Sequence, residues 1–155
     1  MLSDRLVRMI EQHADELTRA LVENLRSNSR TTSYHRLSRE ALHDRTHNVY
    51  KNLGSWLDSK AEEDIEASYT TLGKERETEG IPISEVVYAL TLTKYHLRDY
   101  IRAAGLVDSA VDLYQALELQ RTLGQFFDKA IYYTVRAYER AASHREATGA
   151  VKRAP

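Results

Sequence analysis

The sequence predicts an all-α protein: a single helical bundle of about five main helices, the last of them long. Two observations lead to this fold class. Only two prolines and six glycines occur among 155 residues, so long stretches contain no residue that interrupts a helix. Along these stretches the apolar residues recur every three or four positions, which is the spacing of one helix face, and no strand-like alternation stands out.

The first helix is expected from about Ser3 to Arg26. Ser3 belongs to the residue types that commonly cap a helix N-terminus. The polar segment SNSRTTSYHRLS then interrupts the apolar pattern. Ser38 ends this segment and is expected to cap the second helix, at roughly residues 39–57.

The third helix is expected over about residues 61–79, with Gly80 as the residue that follows its C-terminus. Pro82 disfavours helical backbone at the residue before it. Ser84 can then cap the fourth helix, which Gly105 ends. We therefore expect structural roles for Gly80, Pro82 and Ser84 at this joint.

The fifth helix is expected from about Ser109 to His144, roughly 36 residues or on the order of 55 Å long at 1.5 Å per residue. A compact domain of this size has a diameter of about 40 Å. The helix therefore either bends near Gly124 or projects from the domain. We expect the domain to span residues 1–145 and residues 146–155 to form a disordered tail.

Composition excludes several classes of function. The 22 basic and 23 acidic residues give a net charge of −1, which provides no electrostatic reason to expect nucleic acid or a membrane as a partner. Cysteine is absent, which excludes disulfides and thiolate metal sites. The first residues carry charges throughout, unlike a signal peptide or a membrane span. We expect a cytoplasmic protein.

Glu40, His43 and His47 are the candidate metal ligands. Their spacings of three and four place them on one helix face, and Glu-x-x-His is half of a carboxylate di-iron motif. A complete site needs a second such element and two further acids, but the chain contains only one Glu-x-x-His. A solvated helix flank is therefore the favoured interpretation, and no metal is expected.

His96 is the candidate haem ligand, because it lies on a helix that is apolar over a wide arc. The favoured interpretation is a structural histidine hydrogen-bonded within the core, with Tyr100 one turn away as the available partner. His13 is expected to be a partly buried structural residue as well. We expect no cofactor.

Arg76 is spaced four residues from Leu72 and lies near the inner face of its helix. An arginine there usually pairs with an acid such as Glu85 or covers carbonyl groups at the helix end. Binding of an anionic ligand is the alternative. No glycine-rich phosphate loop, nucleophile elbow or H-E-x-x-H motif is present, so we do not expect an enzyme.

The closing helix carries two apolar stripes, and one stripe is enough to pack it onto its own domain. Exposing the other would cost about 1.5–3 kcal/mol for each large side chain left in water. We expect a two-fold homodimer with an interface formed by Phe127, Ile131, Tyr133 and Tyr138. The alternative is a monomer in which the first and fourth helices cover both stripes.

Two segments carry a family resemblance. ERETEGIPISEVVYALTLTKYHLRDYI, followed by LGQFFDKAIYYTVRAYE, resembles the RsbRD amino-terminal domain family. The resemblance covers about residues 5–142. It rests on Arg76, on the segment 80–85 with the helix after it, and on a closing helix of the FFD-x-A-x-Y type, within Phe126 to Tyr133.

The resemblance implies a sensory domain of stress-response regulators, a helical fold related to non-haem globins, and a dimer. The expected function is a non-enzymatic sensory or protein-interaction domain that acts as a homodimer in bacterial signalling. Its partner would be a signalling protein. The sequence identifies neither this protein nor a small-molecule ligand. The alternative is a haem- or metal-binding, globin-like sensor.

Overall fold

The computed structural model describes residues 2–58 and 61–153, and within these ranges the chain is helical with no strand. The predicted all-α class, with a long C-terminal helix, is confirmed. The helices are α1 (Leu2–Gln12), α2 (Ala14–Ser27), α3 (Arg39–Lys51), α4 (Leu53–Trp56), α5 (Glu62–Thr78), α6 (Ile83–Ala103) and α7 (Ala110–Arg153), and a 3₁₀ helix spans Thr32–Arg36.

The first predicted helix is divided in two at His13. This residue has a φ of −104° and a ψ of 19°, and its Nδ1 lies 2.8 Å from the carbonyl oxygen of Met9. Contrary to expectation, the His13 side chain is exposed. Ser3 lies inside α1 rather than at its cap, because the helix begins at Leu2.

The second predicted helix is divided at Asn52, which separates α3 from α4. The Asn52 side chain donates to the carbonyl oxygen of Asn48 at 3.1 Å. Asparagine commonly competes for backbone groups in this way, which disfavours helical continuation. At the start of α3, the Ser38 hydroxyl accepts a hydrogen bond from the Ala41 amide at 3.1 Å, so Ser38 is the N-cap.

Helix α7 provides one wall of the hydrophobic core along about half of its length. Its inward-facing residues recur every three or four positions, as expected for a helix buried on one side. The buried residues of α7 are Ala116, Leu119, Leu123, Phe126, Phe127, Ala130, Thr134 and Ala137.

Helices α5 and α7 cross in direct contact at Gly73. A Cβ atom built on Gly73 would lie 2.3 Å from the carbonyl oxygen of Thr134 and 2.9 Å from the Cβ of Ala137. Real Cβ atoms do not approach other atoms so closely, because the protein interior is already close-packed. Glycine at this position therefore sets the separation of the two helices.

Helix α7 continues beyond the expected end near His144 and reaches Arg153. Its 44 residues correspond to about 66 Å at 1.5 Å per residue. Residues 146–153, expected as part of a disordered tail, are helical, and residues 154 and 155 lie outside the described ranges. The helix continues through Gly149 because a single glycine destabilises a helix by only about 1 kcal/mol. The ion pair between Arg145 and Glu77 also extends the contact of α7 with α5.

The far end of α7 projects from the domain. Beyond Ala137, no side chain described on this helix is buried. The helix also runs without interruption through Gly124. Among the described residues, no helix is both long enough and apolar enough to cross a membrane.

Candidate functional site

The joint between α5 and α6 is built on Gly80. Its φ is +71°, in the left-handed region that favours glycine. The amide of Gly80 donates to the carbonyl oxygen of Glu77 at 3.0 Å, and the amide of Ile81 donates to the carbonyl oxygen of Arg76 at 3.0 Å. These two bonds form a Schellman motif, which satisfies carbonyl groups at the end of α5.

Arg76 is held inside this joint. Its guanidinium donates to Glu79 at 2.9 Å and lies 5.4 Å from the ring centroid of Tyr34. Only 7 % of Arg76 is exposed, and its Nε has no hydrogen-bond partner among the described residues. The expected partner Glu85 does not contact Arg76, because its carboxylate is engaged elsewhere.

Glu85 joins the start of α6 to the 3₁₀ helix. Its carboxylate accepts hydrogen bonds from the Ser33 amide at 2.8 Å and the Ser33 hydroxyl at 2.5 Å. Burial raises the pKa of this carboxyl, but the hydrogen bonds from Ser33 outweigh burial and lower the pKa overall. Ser84 is not the expected cap: α6 begins at Ile83, so Ser84 lies exposed in its first turn, and Pro82 occupies the N-cap position.

An internal cavity of about 50 Å³ and an open cleft of about 540 Å³ meet at Arg76 and Arg45. Pockets that hold small molecules or cofactors are usually roughly 300–1,000 Å³, so the internal cavity is too small for haem. The cleft is lined by Asp44, Glu75 and Glu79 as well as the two arginines. Acids therefore outnumber cations there, which does not favour the anionic ligand considered for Arg76.

His96 is paired within the core. Its Nδ1 lies 3.2 Å from the hydroxyl of Tyr50, a fully buried residue. Burial lowers the pKa of His96, against the opposing effect of the Asp99 carboxylate. The expected partner Tyr100 instead places its hydroxyl 3.3 Å from Nδ1 of His13. His96 does not line the internal cavity, so the geometry favours a structural role.

The candidate metal ligands on α3 do not converge. His43 and His47 stack with their ring centroids 5.2 Å apart, but His47 turns towards Asp15 on α2, at 2.9 Å. Glu40 is exposed. No group of three or more potential ligands forms among the residues that the structure describes.

Three of the four residues expected at a dimer interface pack within the chain. Phe127 is fully buried, which leaves it no surface for a partner. The Tyr133 hydroxyl donates to Glu62 at 2.6 Å, and the Tyr138 hydroxyl donates to the carbonyl oxygen of Ile81 at 2.6 Å. Ile131 is half-buried: part of its side chain packs against the core and part remains exposed.

A partly different set of residues forms an uncharged row along one flank of α7. At 100° per residue these positions fall within an arc of about 40°, and they extend over about 33 Å of helix. Leu113 and Leu117 are 50 % and 56 % exposed, and the other three are half-buried. This outer row consists of Leu113, Leu117, Gly124, Ile131 and Val135.

Exposed large apolar side chains are confined to one region of the described chain. All of them belong to α6, to α7 or to the connection between these two helices. Soluble domains seldom leave a contiguous apolar surface uncovered unless it binds a partner. The set is Tyr95, Val107, Val111, Leu113, Tyr114, Leu117 and Tyr132.

The chain matches a known protein family over most of its length. The family described as RsbT co-antagonist protein rsbRD N-terminal domain matches residues 15–153. These residues include the joint at Gly80, the crossing at Gly73 and the whole of α7. No curated protein matches the chain, and no solved structure does so.

Proposed function

This chain belongs to the RsbT co-antagonist RsbRD N-terminal domain family, and we propose that it is a non-enzymatic sensory domain that acts as a homodimer. The family places it among the regulator domains of stress-response signalling. The observation that supports the dimer is the exposure of Leu113 and Leu117, at 50 % and 56 %, in the uncharged outer row of α7. Candidates for chemistry, such as half-buried His96 and buried Arg76, are held in contacts within the chain.

The spacing of the outer row favours a second copy of α7 as its occupant. The intervals between its members are four, seven, seven and four residues, symmetric about Gly124. In an antiparallel pair related by a two-fold axis at Gly124, Leu113 faces Val135 of the second copy and Leu117 faces Ile131. A Cβ at Gly124 would meet nothing within 4 Å, so this glycine allows close approach.

Charges beside the row support the same arrangement. Arg121 lies three residues before Gly124, and Asp128 lies four residues after it. Both are exposed and lie on the same flank of α7. The two-fold axis brings Arg121 of one copy opposite Asp128 of the other, and opposite charges across an interface favour one register over its alternatives.

The same helix provides a route for a signal. Helix α7 contains the outer row, crosses α5 at Gly73 and projects beyond the domain. Packed helices respond to a ligand or partner by small shifts and rotations rather than by continuous deformation. We therefore propose that a signal changes how α7 packs against α5 or the second copy, and that the projecting end transmits the change.

Cysteine crosslinking tests this arrangement, because the natural sequence contains no cysteine. Under mild oxidation Gly124→Cys should form a disulfide-linked dimer, since the two-fold axis places this residue next to its own copy. The double variant Leu117→Cys and Ile131→Cys should also crosslink. Leu117→Cys alone and Val111→Cys should not, because neither faces its own copy.

Two results would contradict the antiparallel dimer. Crosslinking of Leu117→Cys alone would indicate parallel helices. Equal crosslinking of Val111→Cys and Gly124→Cys would indicate random collision, because Val111 lies about 120° around the helix from Leu117.

A further inference from the structure

A groove of about 790 Å³ opens between the C-terminal half of α5 and the projecting part of α7. From Arg136 to Gly149 it follows α7 for about 20 Å. On α7 its lining includes Ala137, which is buried against Gly73, and half-buried Ala141, whose small side chain allows another chain to approach closely. Thr70 lines the opposite wall on α5.

The floor of this groove continues the inward face of α7. Positions 137, 141, 144 and 148 follow the same three- and four-residue spacing as the core-facing residues before them. Ala137 is buried, Ala141 is half-buried, and His144 and Thr148 are exposed. The helix face that packs in the core is therefore uncovered where α5 ends, as expected where a further helix would add to a bundle.

The rim of the groove carries an excess of positive charge. Lys74 and Arg140 are exposed and have no ion-pair or hydrogen-bond partner among the described residues. The one acid that lines the groove is Glu77, whose side chain is only 9 % exposed. Its carboxylate accepts hydrogen bonds from Nε and Nη2 of Arg145, at 2.6 and 3.0 Å. The chain as a whole has a net charge of −1, so this local excess differs from the charge balance of the whole chain.

We propose that the groove docks an acidic amphipathic helix of a partner protein. Small apolar residues of the partner would lie on half-buried Ala141, and its carboxylates would face Lys74 and Arg140. This mode of recognition places the apolar face of a helix in a groove and uses charge at the rim for specificity. The groove lies beyond the outer row and on another side of α7, so both surfaces can be occupied together.

A labelled peptide is the probe for this site. It would be a helical peptide of about four turns with Leu and Ala on one face and Glu on the other, since this length matches the groove. The matched peptide has every Glu replaced by Lys. Fluorescence anisotropy with the full chain should show binding of the Glu peptide, weakened by added salt, and no comparable binding of the Lys peptide.

Charge reversal locates the binding site. The double variant Lys74→Glu and Arg140→Glu should weaken binding of the Glu peptide by about tenfold or more, as expected when two rim contacts become repulsive. The control reverses two exposed cations elsewhere, Lys51→Glu and Arg98→Glu, and should leave the affinity nearly unchanged. Circular dichroism confirms that both variants remain folded.

Four outcomes would overturn the proposal. The first is equal binding of the Lys peptide, and the second is unchanged affinity in the groove variant. The third is saturable binding of decanoate without binding of the Glu peptide, which would assign the groove to a small anionic amphiphile. The fourth is a change in the dimer mass of the groove variant, which would assign the groove to self-association. Neither of the first two outcomes affects the proposed dimer, which is measured separately.

Discussion

Gly73 on α5 lies directly against Ala137 on α7, so close that a Cβ on the glycine would come within 2.9 Å of the alanine Cβ. The same Cβ would come within 2.3 Å of the carbonyl oxygen of Thr134. A backbone oxygen cannot move aside as a flexible side chain can. The separation of α5 and α7, and with it the position of the projecting helix, therefore depends on the absence of a side chain at Gly73.

Gly73→Ala should destabilise the domain. The added methyl group must push the two helices apart, and overpacking of this kind usually costs about 1–3 kcal/mol. Urea unfolding at a fixed protein concentration measures the change. Gly149→Ala is the matched control, since a Cβ there meets nothing within 4 Å. Equal stability of Gly73→Ala and the wild type would contradict the crossing geometry.

Gly80→Val should also destabilise the domain, for a different reason. The φ of +71° at Gly80 costs an L-residue roughly 1–2 kcal/mol, and a β-branched residue is among the least tolerant. Gly80→Asn should lose less stability than Gly80→Val, because asparagine adopts the left-handed region more readily. An unchanged melting temperature for Gly80→Val would show that the joint does not require this conformation.

The burial of His96 predicts a pH dependence of stability. Because burial lowers the pKa of His96 below its ordinary value of 6.5, the unfolded chain binds a proton more readily than the folded domain. The stabilising contribution is fully present above pH 6.5 and falls as the pH drops from there towards the folded-state pKa. His96→Gln should show a shallower fall in the free energy of unfolding between pH 7.5 and 5.5. Identical slopes would contradict this role.

Haemin should not bind stoichiometrically to this protein. The internal cavity of about 50 Å³ is far smaller than pockets that hold cofactors, and His96 is hydrogen-bonded to Tyr50. Titration followed at the Soret band provides the measurement. A tight one-to-one complex that His96→Ala abolishes would require a domain that opens, and would support the haem alternative.

Sequence periodicity was sufficient to predict the fold class and the order of the main helices. It did not reveal the breaks at His13 and Asn52, because neither residue interrupts the apolar spacing around it. The continuation of α7 past His144 was also missed, since small polar residues and Gly149 resemble the end of a helix.

The dimer surface and the crossing were harder to predict from the sequence. Apolar spacing shows that a side of α7 is apolar but not which side α5 and α6 cover, so buried Phe127 was placed at the interface. The symmetric spacing of the outer row about Gly124 was a signal that the sequence already contained. The role of Gly73 could not be predicted from the sequence, because its close contact involves residues about sixty positions away.

Light scattering coupled to size-exclusion chromatography, at micromolar concentration, tests the central claim most directly. The wild type should have twice the monomer mass of 17.8 kDa. Leu117→Glu should shift the protein to the monomer mass, because it places a charge opposite Ile131 of the second copy within an apolar interface. Val111→Glu, equally apolar and exposed in the wild type but about 120° away on the helix, should remain a dimer. A wild-type monomer at high concentration would contradict the dimer and the transmission through α7 that depends on it.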